Sequence, residues 1–200
     1  MRLITFLAVT FVAMAGGARA GTIYSNFGPG DSFHTDSGAP VDQKPSISFI
    51  STVDQALSEV DFAVSLRSAG SVNQLTLRLS GDTAGHPGTS VGTGIFDGFL
   101  SVTPGILQWI PVTQLTLAAG TTYWISLEAP QNNVIWNYND QLASGDSRFI
   151  SNVWTVQAAD TQGALRIIGS DVTASPEPGT WFLLAGGIGA VGRARRRRRK

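Results

Sequence analysis

Apolar residues in the middle of the chain recur at every second position. Val60, Phe62, Val64 and Leu66 alternate with Asp61, Ala63 and Ser65, and Leu75, Leu77 and Leu79 with Thr76 and Arg78. Tyr123, Ile125 and Leu127 alternate with Trp124 and Ser126, and Val134, Trp136 and Tyr138 follow the same rule. Successive side chains of an extended chain point to opposite faces. Each apolar set therefore lines a core, and the intervening set faces water or a second layer. Turn-forming clusters punctuate the runs: Gly28-Pro29-Gly30-Asp31, Gly81-Asp82, His86-Pro87-Gly88, Asp97-Gly98, Pro104-Gly105 and Ser144-Gly145-Asp146. Their spacing predicts roughly nine to eleven short strands. The fold class expected over 21–172 is all-β, an antiparallel β-sandwich of jelly-roll type. Leu57-Ser58-Glu59 reads as a short helix or a bend. No fixed-period repeat is visible, which argues against a solenoid or a propeller.

The two ends follow other rules. After Met1-Arg2, the run from Leu3 to Ala15 carries no charge, and Gly16-Gly17-Ala18-Arg19-Ala20 follows. The run is too short for a resident membrane helix, which needs about 20 apolar residues. Small side chains at Ala18 and Ala20 fit signal peptidase, so 1–20 reads as a signal-peptide helix cut after Ala20. At the other end, 173–180 is a linker containing Pro176-Glu177-Pro178, whose prolines remove backbone donors and disfavour both helix and central strand. Trp181–Gly192 is apolar, and Arg193, Arg195, Arg196, Arg197, Arg198, Arg199 and Lys200 close the chain. Proline motif, apolar segment (181–192) and basic tail (193–200) read together as a stop-transfer element. The basic block stays cytoplasmic and Trp181 sits at the far interface. As a short C-terminal membrane helix the apolar part covers only about 18 Å of a hydrocarbon core of about 30 Å. Its four glycines, Gly186, Gly187, Gly189 and Gly192, also suit a transient hold better than a permanent anchor.

Charge sharpens this division. The 200 residues hold 14 basic and 14 acidic side chains, yet from Gly21 to Ser175 only Lys44, Arg67, Arg78, Arg148 and Arg166 are basic, against thirteen acidic residues. An acidic body excludes non-specific nucleic-acid binding as its main task. Cysteine is absent, which removes zinc–thiolate sites, thiol nucleophiles and disulfides, and His34 and His86 are the only histidines, too few for a multi-histidine metal site. No cofactor is expected.

Candidate chemistry in the body is sparse. Asp31, His34 and Asp36 lie close in sequence, and an extended segment puts His34 and Asp36 on one face with Asp31 on the other. No third ligand or nucleophile accompanies them, so an exposed turn-flanking cluster is expected. His86-Pro87-Gly88 reads as a turn. Asp82, Asp97, Asp140 and Asp146 are expected in loops, where sandwiches hold Ca²⁺, but no calcium-loop spacing is present. No nucleophile elbow or zinc-binding helix motif occurs. Of Trp109, Trp124, Trp136 and Trp154, most should be packing. Trp124, and Trp136 with Asn137, Tyr138 and Asn139 beside it, are the candidates for stacking on a sugar ring, with Trp124, Trp136 and Tyr138 the speculative glycan contacts. Rows of solvent-facing tryptophan would favour a carbohydrate-binding module, and two acids about 5 to 10 Å apart in a cleft a glycosidase. Tryptophans that are all buried would favour a structural protein.

Pro176-Glu177-Pro178 with the apolar stretch and Arg-rich end behind it resembles the PEP-CTERM sorting signal. That resemblance implies a substrate of exosortase, a membrane-embedded processing enzyme of Gram-negative bacteria that make extracellular polysaccharide. It also implies export, a transient inner-membrane hold, and delivery to the cell surface or the surrounding matrix. The body segments Tyr24-Ser25-Asn26-Phe27-Gly28-Pro29-Gly30-Asp31, Gly85-His86-Pro87-Gly88 and Ala118–Leu127 are similar to the choice-of-anchor R type of domain. That family has no assigned catalytic residues, and the resemblance implies an exported β-sandwich of unknown ligand. The expected partners are signal peptidase, the exosortase-type enzyme, the membrane through the tail, and extracellular polysaccharide. The expected function is a non-catalytic exported surface or matrix protein, with a polysaccharide-holding module as the alternative.

Overall fold

The computed structural model describes residues 20–70, 72–150 and 153–171. The signal-peptide helix with Ala18, the linker with Pro176, Glu177 and Pro178, the apolar segment, and the basic residues Arg193 and Arg195–Lys200 lie outside these. Among the described residues no helix is long and apolar enough to cross a membrane.

The described chain is all-β. Thirteen strands, more than the spacing of turn residues predicts, form two antiparallel sheets. The first sheet contains β1 (Ala20–Ser25), β2 (Phe33–Pro40), β4 (Gln55–Leu66), β7 (Gly105–Trp109), β8 (Leu115–Leu117), β10 (Val134–Asn139) and β13 (Leu165–Asp171). The second runs in the order β12 (Val153–Thr161), β11 (Ser144–Ile150), β3 (Ser46–Ile50), β9 (Thr122–Glu128), β5 (Gln74–Thr83) and β6 (His86–Asp97). β4 organises the first sheet. Val60 pairs with Ile167 of β13 and Trp109 of β7, and Val64 with Trp136 of β10 and Gly105 of β7. β13 and β10 thus share one edge of β4, while β7 and β8 take the other.

The alternation does what periodicity demands. Val60, Phe62, Val64 and Leu66 from one sheet meet Leu75, Leu77, Leu79, Tyr123, Ile125 and Leu127 from the other in one buried cluster, with Val134, Trp136, Leu165 and Ile167. Most of the intervening positions are covered as well, Thr76 and Arg78 being half-buried. Asp61, Ala63 and Ser65 are buried, as are Trp124 and Ser126, because strands in the middle of each sheet are covered on both sides. Leu57-Ser58-Glu59 is neither helix nor free bend. It lies inside β4, where Glu59 pairs with Ile168 and Leu57 with Gly169, so Ser58 is the extra residue of a β-bulge.

Three expected turns move. Gly81-Asp82 belongs to β5 and His86-Pro87 to β6, and the hairpin between them turns at Ala84 and Gly85, whose φ values are 55° and 80°. The primed turn that follows the twist of a two-residue hairpin needs positive φ at both positions. Ser144-Gly145-Asp146 lies in β11, and the chain turns before it, at Asp140-Gln141.

Candidate functional site

On the outer face of the first sheet, β2, β10 and β4 enclose an open pocket of about 290 Å³. Its walls are Thr35, Asp36 and Ser37 from β2, Asn137 and Tyr138 from β10, and Ser65 from β4, with Gly38 and Ile135 completing it. Two backbone features make it. Asn137 stands opposite Gly38, and any Cβ at Gly38 would collide with Ile135 and the Trp136 carbonyl, so only glycine lets β2 come this close to β10. The register then slips between Asn137 and Asn139. The extra residues of this slip lie on β2, while β10 stays regular: Tyr138 bridges Gly163, with Ala164 N–H donating to the Asn137 carbonyl and Asn139 N–H to the Gln162 carbonyl.

The pocket is lined by hydroxyls and amides, with Asp36 as its charged group. Asn137 is 2% exposed and its Oδ1 has no hydrogen-bond partner. A buried, unanswered amide oxygen costs on the order of 1–3 kcal/mol. Tyr138, half-buried, is among the lining residues, and Ser37 Oγ donates to Asp36 Oδ1 at 3.4 Å. Such a surface can hold a small polyhydroxylated molecule by hydrogen bonds and one aromatic contact.

The tryptophans lie elsewhere, and two expectations about them are corrected. Trp136 is fully buried in the core and its Nε1 donates to the Ala164 carbonyl at 3.0 Å. Trp124 lies on the outer face of the second sheet between Ser48 and Ser80, is buried there, and donates Nε1 to Asp82 Oδ1 at 2.8 Å. Neither offers a ring face to a sugar: the core takes one, and the other covers small serine neighbours while its N–H is satisfied by a carboxylate. Trp109 is buried as well, and Trp154 is half-buried, stacked on His86 at 6.5 Å and tilted against Phe149 at 5.2 Å.

The acidic candidates separate onto different partners. Asp31 pairs with Arg166 at 2.6 Å and His34 with Asp140 at 3.4 Å, while Asp36 lines the pocket. Asp82 lies within β5, Asp97 ends β6 and Asp146 lies within β11, so of the four expected loop carboxylates only Asp140 is in a turn. Among the described residues no group of three or more His, Asp or Glu is placed to hold a metal ion. Ala20 begins β1, opposite Ser170.

Sequence reasoning missed two features. Thr35, Ser37 and Ser65 reach the pocket from strands distant in sequence. The second is an ion network on the outer face of the first sheet. Asp61, 1% exposed, accepts Arg166 Nε at 2.8 Å and Nη2 at 2.6 Å, with Gln108 Nε2 at 3.4 Å. A charge between Val60 and Phe62 was the available signal. Burial works against the Arg166 guanidinium, but hydrogen bonds to Asp61 and Asp31 outweigh it and its pKa is raised. Burial, tempered by the Asn26 amide, pushes the Tyr24 hydroxyl up to about 12.

No family model matches the sequence, and no curated protein matches it. Among solved structures, a ruminal GH26 endo-β-1,4-mannanase is similar at 8% identity and a TM-score of 0.35, over 76% of this chain and 22% of that one. The chain thus spans about a fifth of that enzyme's length, and a likeness this slight bears on neither fold nor activity.

Proposed function

We propose that the chain is an exported, non-catalytic surface or matrix protein, its body a jelly-roll-like sandwich and its tail a sorting signal read by an exosortase-type enzyme. The observation that carries this reading is the order of parts at the C-terminus, behind an N-terminal export signal: Pro176-Glu177-Pro178, the apolar Trp181–Gly192, then Arg193–Lys200. Each part has its own physical task. The prolines keep the motif out of the sheets, the apolar segment holds the chain in the bilayer, and the basic block stops transfer. Among the described residues the last strand ends at Asp171, ahead of the motif. With a C-terminal epitope tag in an exosortase-bearing host, alanines at Pro176, Glu177 and Pro178 should leave export intact and retain uncut protein at the inner membrane. Serines in place of the Arg block should let the uncut tail slip through. Equal release of tagged full-length protein by wild type and both variants overturns the reading.

A second reading, that the body also holds matrix polysaccharide, is favoured by the pocket around Asn137. Hydroxyl and amide groups with one carboxylate, Asp36, and one tyrosine are the hydrogen-bonding groups that a sugar's hydroxyls use. Glycan-array binding by the exported protein should fall at least about tenfold in Asn137→Ala, the worth of one good hydrogen bond to a buried group. Binding that survives both this change and Tyr138→Ala places the sugar elsewhere.

A further inference from the structure

β6 is an edge strand with a long uncharged stretch. It hydrogen-bonds to β5, and among the described residues nothing pairs with its other side. Edges are normally blunted by charge, proline or brevity. β6 runs twelve residues; its first half is irregular, with Val91 the extra residue where the register against β5 shifts, and from Gly92 to Asp97 it pairs regularly, with neither a charge nor a proline up to Phe96. Its outer face presents Val91, Thr93 and Ile95 in a row, with Val91 48% and Ile95 76% exposed. Its inner face is backed by Trp109, whose ring lies 2.9 Å from where a Cβ at Gly92 would be and 2.6 Å from one at Gly94. The tryptophan fills the space that the two glycines leave.

We propose that this edge pairs with the same edge of a second copy of the chain, antiparallel and two-fold symmetric about Thr93. Directly opposed residues in an antiparallel pair lie on the same face, so a self-paired strand must be centred on a residue. Around Thr93 the sequence is a near-palindrome, Val91-Gly92-Thr93-Gly94-Ile95. This centre sets Val91 against Ile95 of the other copy, an apolar cross-strand pair, and Gly92 against Gly94. Centring on Gly94 instead sets Asp97 against Val91, and centring on Gly92 sets Ile95 against Thr89. Charge selects the same register. Two copies of an acidic body repel wherever their acids meet. About Thr93 the strand's one carboxylate, Asp97, faces Thr89, and the two Asp97 stand roughly 27 Å apart, well beyond the screening length of about 8–10 Å. The contact is isologous and closes on itself, so it yields a dimer, and a fibre does not follow from it.

The absence of cysteine provides a clean test, because a single introduced thiol reports alone. In the full chain, exported to an oxidising compartment, Thr93→Cys sits on the symmetry axis. It should give at least about tenfold more disulfide-linked dimer than Thr155→Cys on the exposed face of β12, since paired thiols see millimolar effective concentrations. Val91→Cys and Ile95→Cys should link poorly alone and strongly when co-expressed, which reads the register. Equal linking by Thr93→Cys and Thr155→Cys, or self-linking by Val91→Cys as strong as by Thr93→Cys, overturns the proposal. As an independent measure, Ile95→Lys should convert the exported protein from dimer to monomer by light scattering with its far-UV spectrum unchanged. A monomeric wild type at tens of micromolar overturns it as well.

Discussion

β4 and β6 are both twelve residues long, and they live in opposite surroundings. β4 has neighbours on both edges and cover on both faces. Phe62 points into the core, while Asp61 and Ala63 on the other side lie under Arg166, Phe27 and Ala164. β6 has one neighbour, and its outer face is open. Length does not separate them; the number of sides that must be satisfied does. Every outward position of β4 needs a specific answer, whether a small residue such as Ala63 or an ion partner for Asp61. β6 needs answers only inward, and there glycine beneath Trp109 suffices.

This contrast is broken most directly by truncating one large side chain in each strand. Phe62→Ala should destabilise by about 3–5 kcal/mol, the cost of a buried aromatic cavity, and Ile95→Ala by no more than about 0.5 kcal/mol. Urea midpoints measure both, and similar losses would make β6 part of the core. Next in size is Asp61→Ala. Removing one partner of a buried ion pair costs about 3–5 kcal/mol. The Arg166 side chain is 26% exposed and keeps Asp31, so about 2 kcal/mol is expected. Asp31→Ala, at an exposed carboxylate, should cost far less in the same measurement. Gly94→Val comes third, at about 1–3 kcal/mol, because its Cβ must displace Trp109. Gly98→Ala makes a poor control there because its φ of 79° adds backbone strain. Gly105→Ala, with open space around the added methyl, is the appropriate one.

The inward half of this architecture was legible in the sequence. Alternation at Val60–Leu66, Leu75–Leu79 and Tyr123–Leu127 identified core positions because burial of one face imposes period two whatever lies on the other. The outward half was not. Whether Asp61 or Trp124 faces water depends on which strands lie alongside, and that is settled by pairings more than 100 residues apart, such as Asp61 with Arg166. Turn residues misled where glycine served a bulge or a close approach, as at Gly145 and Gly88. The pocket was half legible. Asn137 and Tyr138 stood out as a polar-aromatic pair, but Thr35, Asp36, Ser37, Gly38 and Ser65 join them from strands distant in sequence, and the adjacent Trp136, the more conspicuous residue, is buried in the core.

The smallest effect concerns Glu59, on the outer side of β4 one step from Asp61. Burial, and then hydrogen bonding and charge at Asp61, raise its pKa above the ordinary value of 4.5, against the opposing pull of Gln108 and Arg166. An acid whose pKa is raised on folding holds its proton longer in the folded state. Between the unfolded value and the higher folded one the native protein binds more protons, so stability falls as pH rises through that window. The favourable contribution is complete below the unfolded value and lost once pH exceeds the folded one. At neutral pH Glu59 therefore weakens the strand that the rest of the fold depends on. Glu59→Gln keeps the shape and removes the charge. It should raise the urea midpoint at pH 7 by an amount worth less than about 1 kcal/mol, since the group is partly exposed. That advantage over wild type should shrink towards zero near pH 4. An advantage that grows on acidification would mean that the carboxylate is the form the fold prefers, and that Arg166 outweighs Asp61 at this position.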